Sequence, residues 1–193
     1  TKYMHYAKEQ GTRIVVINPV REPGLERYWI PSVPKSALFG TKLIDDFQQV
    51  NVGGDIAFIS GALKAMLDIP GAIAKSFVDA QTTGWVELEA SLRAMPWADI
   101  EKSSGVPRPD IESFARIYSE AKTAVLCYSM GLTQHAYGVD NVRAIVNLAL
   151  ARGNVGREKT GIMPIRGHSG VQGGGECGVD PHRFPGGVEI NEP

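Results

Sequence analysis

Two short apolar runs, each ending in a polar turn, constrain this chain more than any other feature. Arg13–Ile17 (RIVVI) stops at Asn18-Pro19, and Thr123–Tyr128 (TAVLCY) stops at the turn Met130–His135 (MGLTQH). Continuous apolar runs of this length read as buried parallel strands, and proline cannot continue a ladder. A helical pattern over residues 2–10 closes at Gly11 ahead of the first run. A clearer one, Asp140–Arg152, follows the second, with Val142, Ile145, Val146 and Ala149 at helical spacing and Gly153 just beyond. Helix, glycine, strand and polar turn in this order predict an α/β domain, Rossmann-like and three-layered, with a mostly parallel sheet. Ligands of such sheets sit at the carboxyl ends of the strands. Asn18, Arg21 and Glu22 therefore suit either a surface turn or a ligand contact, and the second turn lies on the same edge. Cys127, inside the second run, reads as a small core side chain rather than a nucleophile, since nothing nearby would lower its pKa.

The rest of the chain is organised around these runs. Residues 20–45 are irregular, a length of loop usually tied to function or an interface. Phe47–Val52 reads as a short strand, and Gly53-Gly54-Asp55 opens an amphipathic helix over Ile56–Leu67, with residues 56, 59, 63, 66 and 67 on its apolar face. Asp55 fits a helix N-cap or an acceptor for a nucleobase amino group, and the two roles are compatible. Helices are expected over Ala72–Gln81, Val86–Ala94, Trp97–Ser103 and Asp110–Ala121, punctuated by Pro96, Pro107 and Pro109. They carry no chemistry and read as scaffold.

Residues 153–187 show almost no periodicity and are rich in glycine, with Arg166, His168 and Gln172 as polar tips. Such a stretch is either a flexible or interface loop, or one whose backbone N–H groups meet a ligand. Gly173–Gly178 (GGGECG) satisfies G-x-G-x-x-G, but no apolar strand precedes it and no helix is expected to open on it, so the dinucleotide fingerprint is rejected. The formal net charge of -1 gives no basic footprint for nucleic acid. No apolar run reaches the ~18 residues of a membrane span. Two cysteines, Cys127 and Cys177, make neither a disulfide framework nor a four-thiolate cluster. The chain opens on Thr1 inside a helical pattern, so a segment of a longer protein is expected, with 1–193 a single cofactor-binding domain of a larger subunit and 153–193 its glycine-rich loop region.

Five blocks then carry a resemblance. V-I-N-P-V-R-E-P, G-G-D-I-A-F, Y-S-M-G-L-T-Q-H, G-V-D-N-V-R-A-I-V-N-L-A-L-A-R-G-N-V-G and G-I-M-P-I-R-G-H-S-G-V-Q-G stand in this order over residues 12–187. Together they resemble the molybdopterin-dependent oxidoreductases of the formate dehydrogenase group, and the wording from Tyr28 to Asp55 resembles a branch of formate dehydrogenase-like alpha subunits. The resemblance implies a bis-molybdopterin guanine dinucleotide cofactor with molybdenum or tungsten. It places Asn18, Arg21 and Gly53 at a guanosine diphosphate and makes Asp55 the guanine-reading carboxylate. It sets Met130, Gly131, Gln134, Gly167, His168 and Gln172 against the pterin, and makes Arg166 the catalytic arginine that orients a small anionic substrate such as formate. Partners implied are the rest of the alpha subunit and an electron-transfer protein, in the cytoplasm. A planar guanidinium suits a carboxylate substrate through two parallel hydrogen bonds, which lysine does not reproduce. Where the formate dehydrogenases read R-G-Q-N-N-V-Q-G, this chain reads R-G-H-S-G-V-Q-G, so His168 and Gly170 depart from the pattern that accompanies formate. The family's metal-ligating cysteine or selenocysteine and its 4Fe-4S cysteines fall upstream of the matched blocks, and neither Cys127 nor Cys177 takes their place. A non-catalytic nucleotide-binding or assembly module on the same fold is the alternative.

Overall fold

A computed structural model of the chain describes residues 2–168 and 170–190. In chain order the elements are α1 (Lys2–Glu9), β1 (Val15–Ile17), α2 (Pro23–Glu26), β2 (Arg27–Tyr28), α3 (Pro34–Phe39), β3 (Thr41–Lys42) and β4 (Asp46–Gln48). Then come α4 (Asp55–Met66), α5 (Lys75–Gln81), α6 (Trp85–Ala94), α7 (Trp97–Ser104), α8 (Arg108–Glu120), β5 (Val125–Tyr128), α9 (Met130–Thr133), α10 (Gly138–Ala151), β6 (Gly161–Pro164) and α11 (Val171–Glu176). The α/β class and the parallel pairing follow the sequence. The strands form pairs: β1 with β4 and β5 with β6, both parallel, and β2 with β3, antiparallel.

The core gathers around α4. Phe58, Ala62 and Met66 are fully buried, and Ile59, Leu63 and Ala65 nearly so. The spacing predicted one apolar face, whereas α4 is apolar nearly all round and is buried accordingly. Gly61 explains how closely its neighbours approach: a Cβ there would stand 2.7 Å from Ile100 Cγ2 on α7 and 3.2 Å from Ile111 Cγ2 on α8. Phe58 and Phe114 of α8 meet at 5.1 Å between ring centroids, in the tilted geometry aromatic pairs prefer.

A polar clamp closes the far end. Tyr118 Oη donates to Leu148 O of α10 (3.3 Å), and the Asn154 amide donates to Tyr118 Oη (2.9 Å). Arg157 donates to Asn154 Oδ1 (2.8 Å) and to Gly153 O (2.7 Å), while Arg152 donates to Ser119 O and Ala121 O. The carbonyls that α8 and α10 leave unpaired at their ends are thus met by guanidinium groups, as charge and geometry favour. Burial, only partly offset by Asn154 and the two arginines, pushes the Tyr118 phenol up to about 12. It stays a neutral donor.

Three expectations change. Residues 153–164 are not free loop, because Gly161–Pro164 pairs in register with β5 and Asn154 is buried. Gly173–Gly175 lies inside the short helix α11, which follows β6 in the chain, where a loop without strand or helix was expected. Cys127 is exposed, not core, because burial alternates along β5: Leu126 and Tyr128 pack against the core, and Cys127 shares the opposite, open face with Val125. Its surroundings still desolvate the thiol enough to push its pKa up, so it remains a poor nucleophile.

The N-terminal helix is latched to the body. Lys8 pairs with Asp45, whose second oxygen accepts Ile14 N–H at 2.7 Å, and buried His5 meets Thr41 Oγ1 at 3.0 Å. Burial alone would raise the Asp45 carboxyl, but Lys8 and the Ile14 N–H outweigh it and hold the group below its ordinary range. A depressed folded-state pKa stabilises the latch above the unfolded value near ~4 and is lost as pH falls through the folded one. Hydrogen exchange should therefore show α1 opening first on acidification below ~4, with Asp45→Asn showing weak α1 protection already at neutral pH and little acid dependence. Limited proteolysis should cut first within 165–190, where nearly every side chain is exposed, and should spare 153–164. Early cleavage at 153–164 would contradict the pairing of β6.

Candidate functional site

The candidate residues lie beyond the carboxyl ends of the parallel strands. After β1, the Asn18 amide donates to Val20 O (2.6 Å) and Glu22 Oε1 (3.3 Å), shaping its own turn. Arg21 pairs with Glu26 at 2.6 Å and lies over the Phe47 ring, 4.4 Å from its centroid. Both residues are therefore held in place within their own turn.

After β4 the chain runs to α4 through Asn51–Gly54. Asn51 N–H donates to Ser104 O at 2.7 Å, and Gly54 N–H returns to Asn51 O at 2.9 Å. Gly54 abuts the α7 end so closely that a Cβ would stand 2.7 Å from Ser103 O. Gly53 takes φ +81, a left-handed conformation that glycine enters without strain. Gly54 is the N-cap and Asp55 the first helical residue, with no side-chain cap hydrogen bond. The capping role expected of Asp55 is absent. Its carboxyl, half-buried, is pushed above the ordinary range by burial; its own N–H and His135 pull the other way.

The second strand pair supplies the opposite wall. Ser129 Oγ donates to Ile165 O and Ile165 N–H to Tyr128 O, both at 2.7 Å, so the turn after β5 and the segment after β6 are stitched together. Met130 lies on Gly167, where a Cβ would stand 2.5 Å from its sulfur. Gly131 and Gln134 are exposed. Arg166 Nε donates to Gln172 Oε1 (3.2 Å), whose amide donates to Glu176 (3.1 Å). Gly167 and His168 are exposed beside them, while Ser169 lies outside the described residues.

The geometry adds one residue that sequence reasoning passed over. A Cβ on Gly53 would stand 3.0 Å from His135 Cε1 and 3.2 Å from Nε2, so the imidazole sits against the Gly53 main chain. The end of the Met130–Thr133 turn is thereby joined to the Gly53–Asp55 helix start. Only a through-space contact across some eighty residues reveals it. The sequence does hold the support: Asn141 donates to Leu132 O at 2.9 Å, and a Cβ on Gly138 would stand 2.3 Å from Thr133 O. Among the described residues, no three His, Cys, Asp or Glu side chains group as metal ligands, and no helix is long and apolar enough to cross a membrane.

No family model matches the chain. It is 35% identical over 182 residues to Protein YdeP of Escherichia coli, covering 89% of this chain and 24% of that protein. It is 31% identical over 179 residues to an uncharacterized oxidoreductase of Mycobacterium tuberculosis, Rv2900c, covering 90% and 23%. It is 32% identical over 186 residues to the F420-dependent formate dehydrogenase subunit alpha of Methanocaldococcus jannaschii, covering 96% and 25%. The acetylene hydratase of Pelobacter acetylenicus superposes on 80% of this chain and 19% of its own with a TM-score of 0.66 at 17% identity, a likeness of fold. The chain spans about a quarter of the length of these curated relatives.

Gly138→Ala should drive the new methyl into Thr133 O, shift the turn carrying Met130 and His135, and destabilise the chain by roughly 1–3 kcal/mol in denaturant unfolding. A neutral outcome would show that the close approach is not needed. Over about nine-tenths of its length, this chain is related to one segment of proteins named as oxidoreductases, formate dehydrogenase alpha subunits among them.

Proposed function

We propose that this chain is the cofactor-binding segment of a molybdopterin-dependent oxidoreductase that oxidises a small anionic substrate such as formate and passes electrons to an acceptor. The observation that carries this reading is the junction of two strand-end segments at one place: Gly53–Asp55 against His135, with Met130 on Gly167 beside Arg166. The matched relatives supply the reaction class, through the two names quoted above.

The residues fit a bis-molybdopterin guanine dinucleotide in kind. Gly53, without a Cβ, lets the His135 ring seat on its main chain, so the two strand-end segments present one surface to a ligand. Asp55 offers an acceptor for base N–H groups. Gly131 and Gln134 after β5, and Gly167, His168 and Gln172 after β6, offer exposed main chain and side-chain amides toward a pterin. Asn18 and Arg21 would stand nearer the diphosphate. The metal centre would supply the redox chemistry when bound. Arg166 would orient the substrate carboxylate: its Nε donates to Gln172 Oε1, which fixes the plane of the guanidinium, while its terminal nitrogens donate to no other group among the described residues. Its metal ligand and any 4Fe-4S cluster would come from other parts of a longer protein. The exposed apolar residues Trp29, Leu38 and Phe39 would pack against those parts.

The reading is tested on the full-length protein. Molybdenum or tungsten should co-purify in stoichiometric amount, acid hydrolysis should release GMP, and formate should reduce an artificial dye. Arg166→Lys should keep the metal but lower kcat/KM about 10- to 100-fold, the loss expected for a hydrogen bond to a charged group of about 1.5–3 kcal/mol. Absence of metal would sink the enzyme reading in favour of a non-catalytic nucleotide-binding module. Metal without formate oxidation would point to another small anion, in line with His168 and Gly170.

A further inference from the structure

Arg166 Nε donates to Gln172 Oε1 (3.2 Å), and the Gln172 amide nitrogen donates to Glu176 Oε1 (3.1 Å). Gln172 and Glu176 stand four residues apart on α11, so their side chains share one face of the helix. Between them lie Gly173–Gly175, which carry no side chains and favour helix poorly. The Gln172–Glu176 bond thus ties a turn whose own residues do little to hold it.

A side-chain amide between a cation and an anion has one workable orientation. Turned over, its N–H groups would face the guanidinium N–H and its oxygen the carboxylate, donor against donor and acceptor against acceptor. Glu176 therefore fixes which end of Gln172 faces Arg166. The amide is also a neutral spacer. A carboxylate in direct contact with a guanidinium forms two parallel hydrogen bonds with it, and those are the bonds a small carboxylate substrate would need. Among the described residues no acid pairs with Arg166 directly, and its link to Glu176 runs through Gln172. Arg152 and Arg157, by contrast, spend their guanidinium groups on main-chain oxygens. Gln172 keeps one amide hydrogen and one lone pair, so its hold on Arg166 leaves room for a contact with a pterin.

We propose that Glu176, acting through Gln172, is a positioning residue for Arg166: it holds the Nε edge of the guanidinium and leaves the terminal nitrogens open to a small planar anion. This rests on the reading of Arg166 as the arginine that orients the substrate. Glu176 touches neither the substrate nor the cofactor. It is an acid that strengthens the binding of an anion, and that sign separates it from a plain charge effect. An acid acting only through its field would repel the anion, so its removal would tighten binding.

The test compares full-length variants with formate as the probe. Glu176→Ala should raise the formate KM about 2- to 10-fold, the loss of one hydrogen bond, with metal and GMP content unchanged. Glu176→Gln, which keeps an acceptor oxygen without the charge, should return KM to within about two-fold of the unsubstituted value. Gln172→Glu should raise KM about 10- to 100-fold, because an acid then grips Arg166 itself. A second readout needs no turnover: labelling of the apoprotein with phenylglyoxal, which condenses with guanidinium groups, read by peptide mass spectrometry. Arg166 should label about two-fold faster or more in Glu176→Ala, and more slowly in Gln172→Glu. A lower KM in Glu176→Ala, or unchanged labelling of Arg166, would overturn the proposal. Loss of metal in step with the change in KM would overturn it too, by marking a structural role. If the unsubstituted protein carries no metal, the enzyme reading fails and takes this inference with it, and that is visible before any variant is made. If it carries metal but oxidises no formate, only the choice of substrate fails, and the labelling decides the relay.

Discussion

The burial of α4 on nearly every side is the constraint on which the other elements depend. α7 and α8 approach it over Gly61, where a methyl group would already meet Ile100 and Ile111. α10 joins the same core through Ala144, Ile145 and Leu148. A helix so enclosed cannot shift without opening the core, which interiors at crystal-like density resist. Its first turn is therefore a fixed point. Gly53, Gly54 and Asp55 inherit that rigidity, and Gly54 adds its own contact with the α7 end. If Asp55 contacts a ligand as proposed, such a mount favours binding, because geometry held in advance need not be ordered on binding.

The far end of the core is fixed by different means. Arg152, Asn154 and Arg157 stand at the end of α10 and just beyond it. In the fold they serve architecture. Each guanidinium satisfies helix-end carbonyls, and Asn154 links Arg157 to the buried Tyr118 hydroxyl. Their partners are mostly main-chain oxygens some thirty residues away, so no local pattern announces them. A buried network of this kind is costly to break at any one member, since the remaining polar groups would lose their partners in a low-dielectric setting.

Much of the fold was legible because it is local. The helices from α5 to α8 were placed by proline punctuation and apolar spacing, and α10 by its face and its closing glycine. The strands β1 and β5 were found as apolar runs, longer in expectation than in fact. Local signals failed where a residue's fate is set across the chain. Gly161–Pro164 is a strand only because β5 offers an edge, and four residues ending in proline give almost no period of their own. Cys127 stands among apolar neighbours in sequence, yet what packs over each face of β5 decides which side is covered, and Leu126 and Tyr128 take the core face. Asp55 was given a cap role that belongs to Gly54, a difference of one residue that sequence spacing does not resolve.

His135 shows the same limit at the site itself. In sequence it closes the M-G-L-T-Q-H turn as an unremarked polar residue, and Gly53 is one of two glycines before a helix. Neither stands out alone. Their contact joins the Gly53 main chain and the turn after β5 into one wall. Two strand pairs that share no hydrogen-bonded ladder are coupled there by a single side chain. Any ligand spanning the edge from Asp55 toward Gly167 would meet both pairs at once, so the ordering of the second wall depends on the rigidity of the first. The central helix supplies that rigidity, and the turn held by Gly138 and Asn141 carries it across.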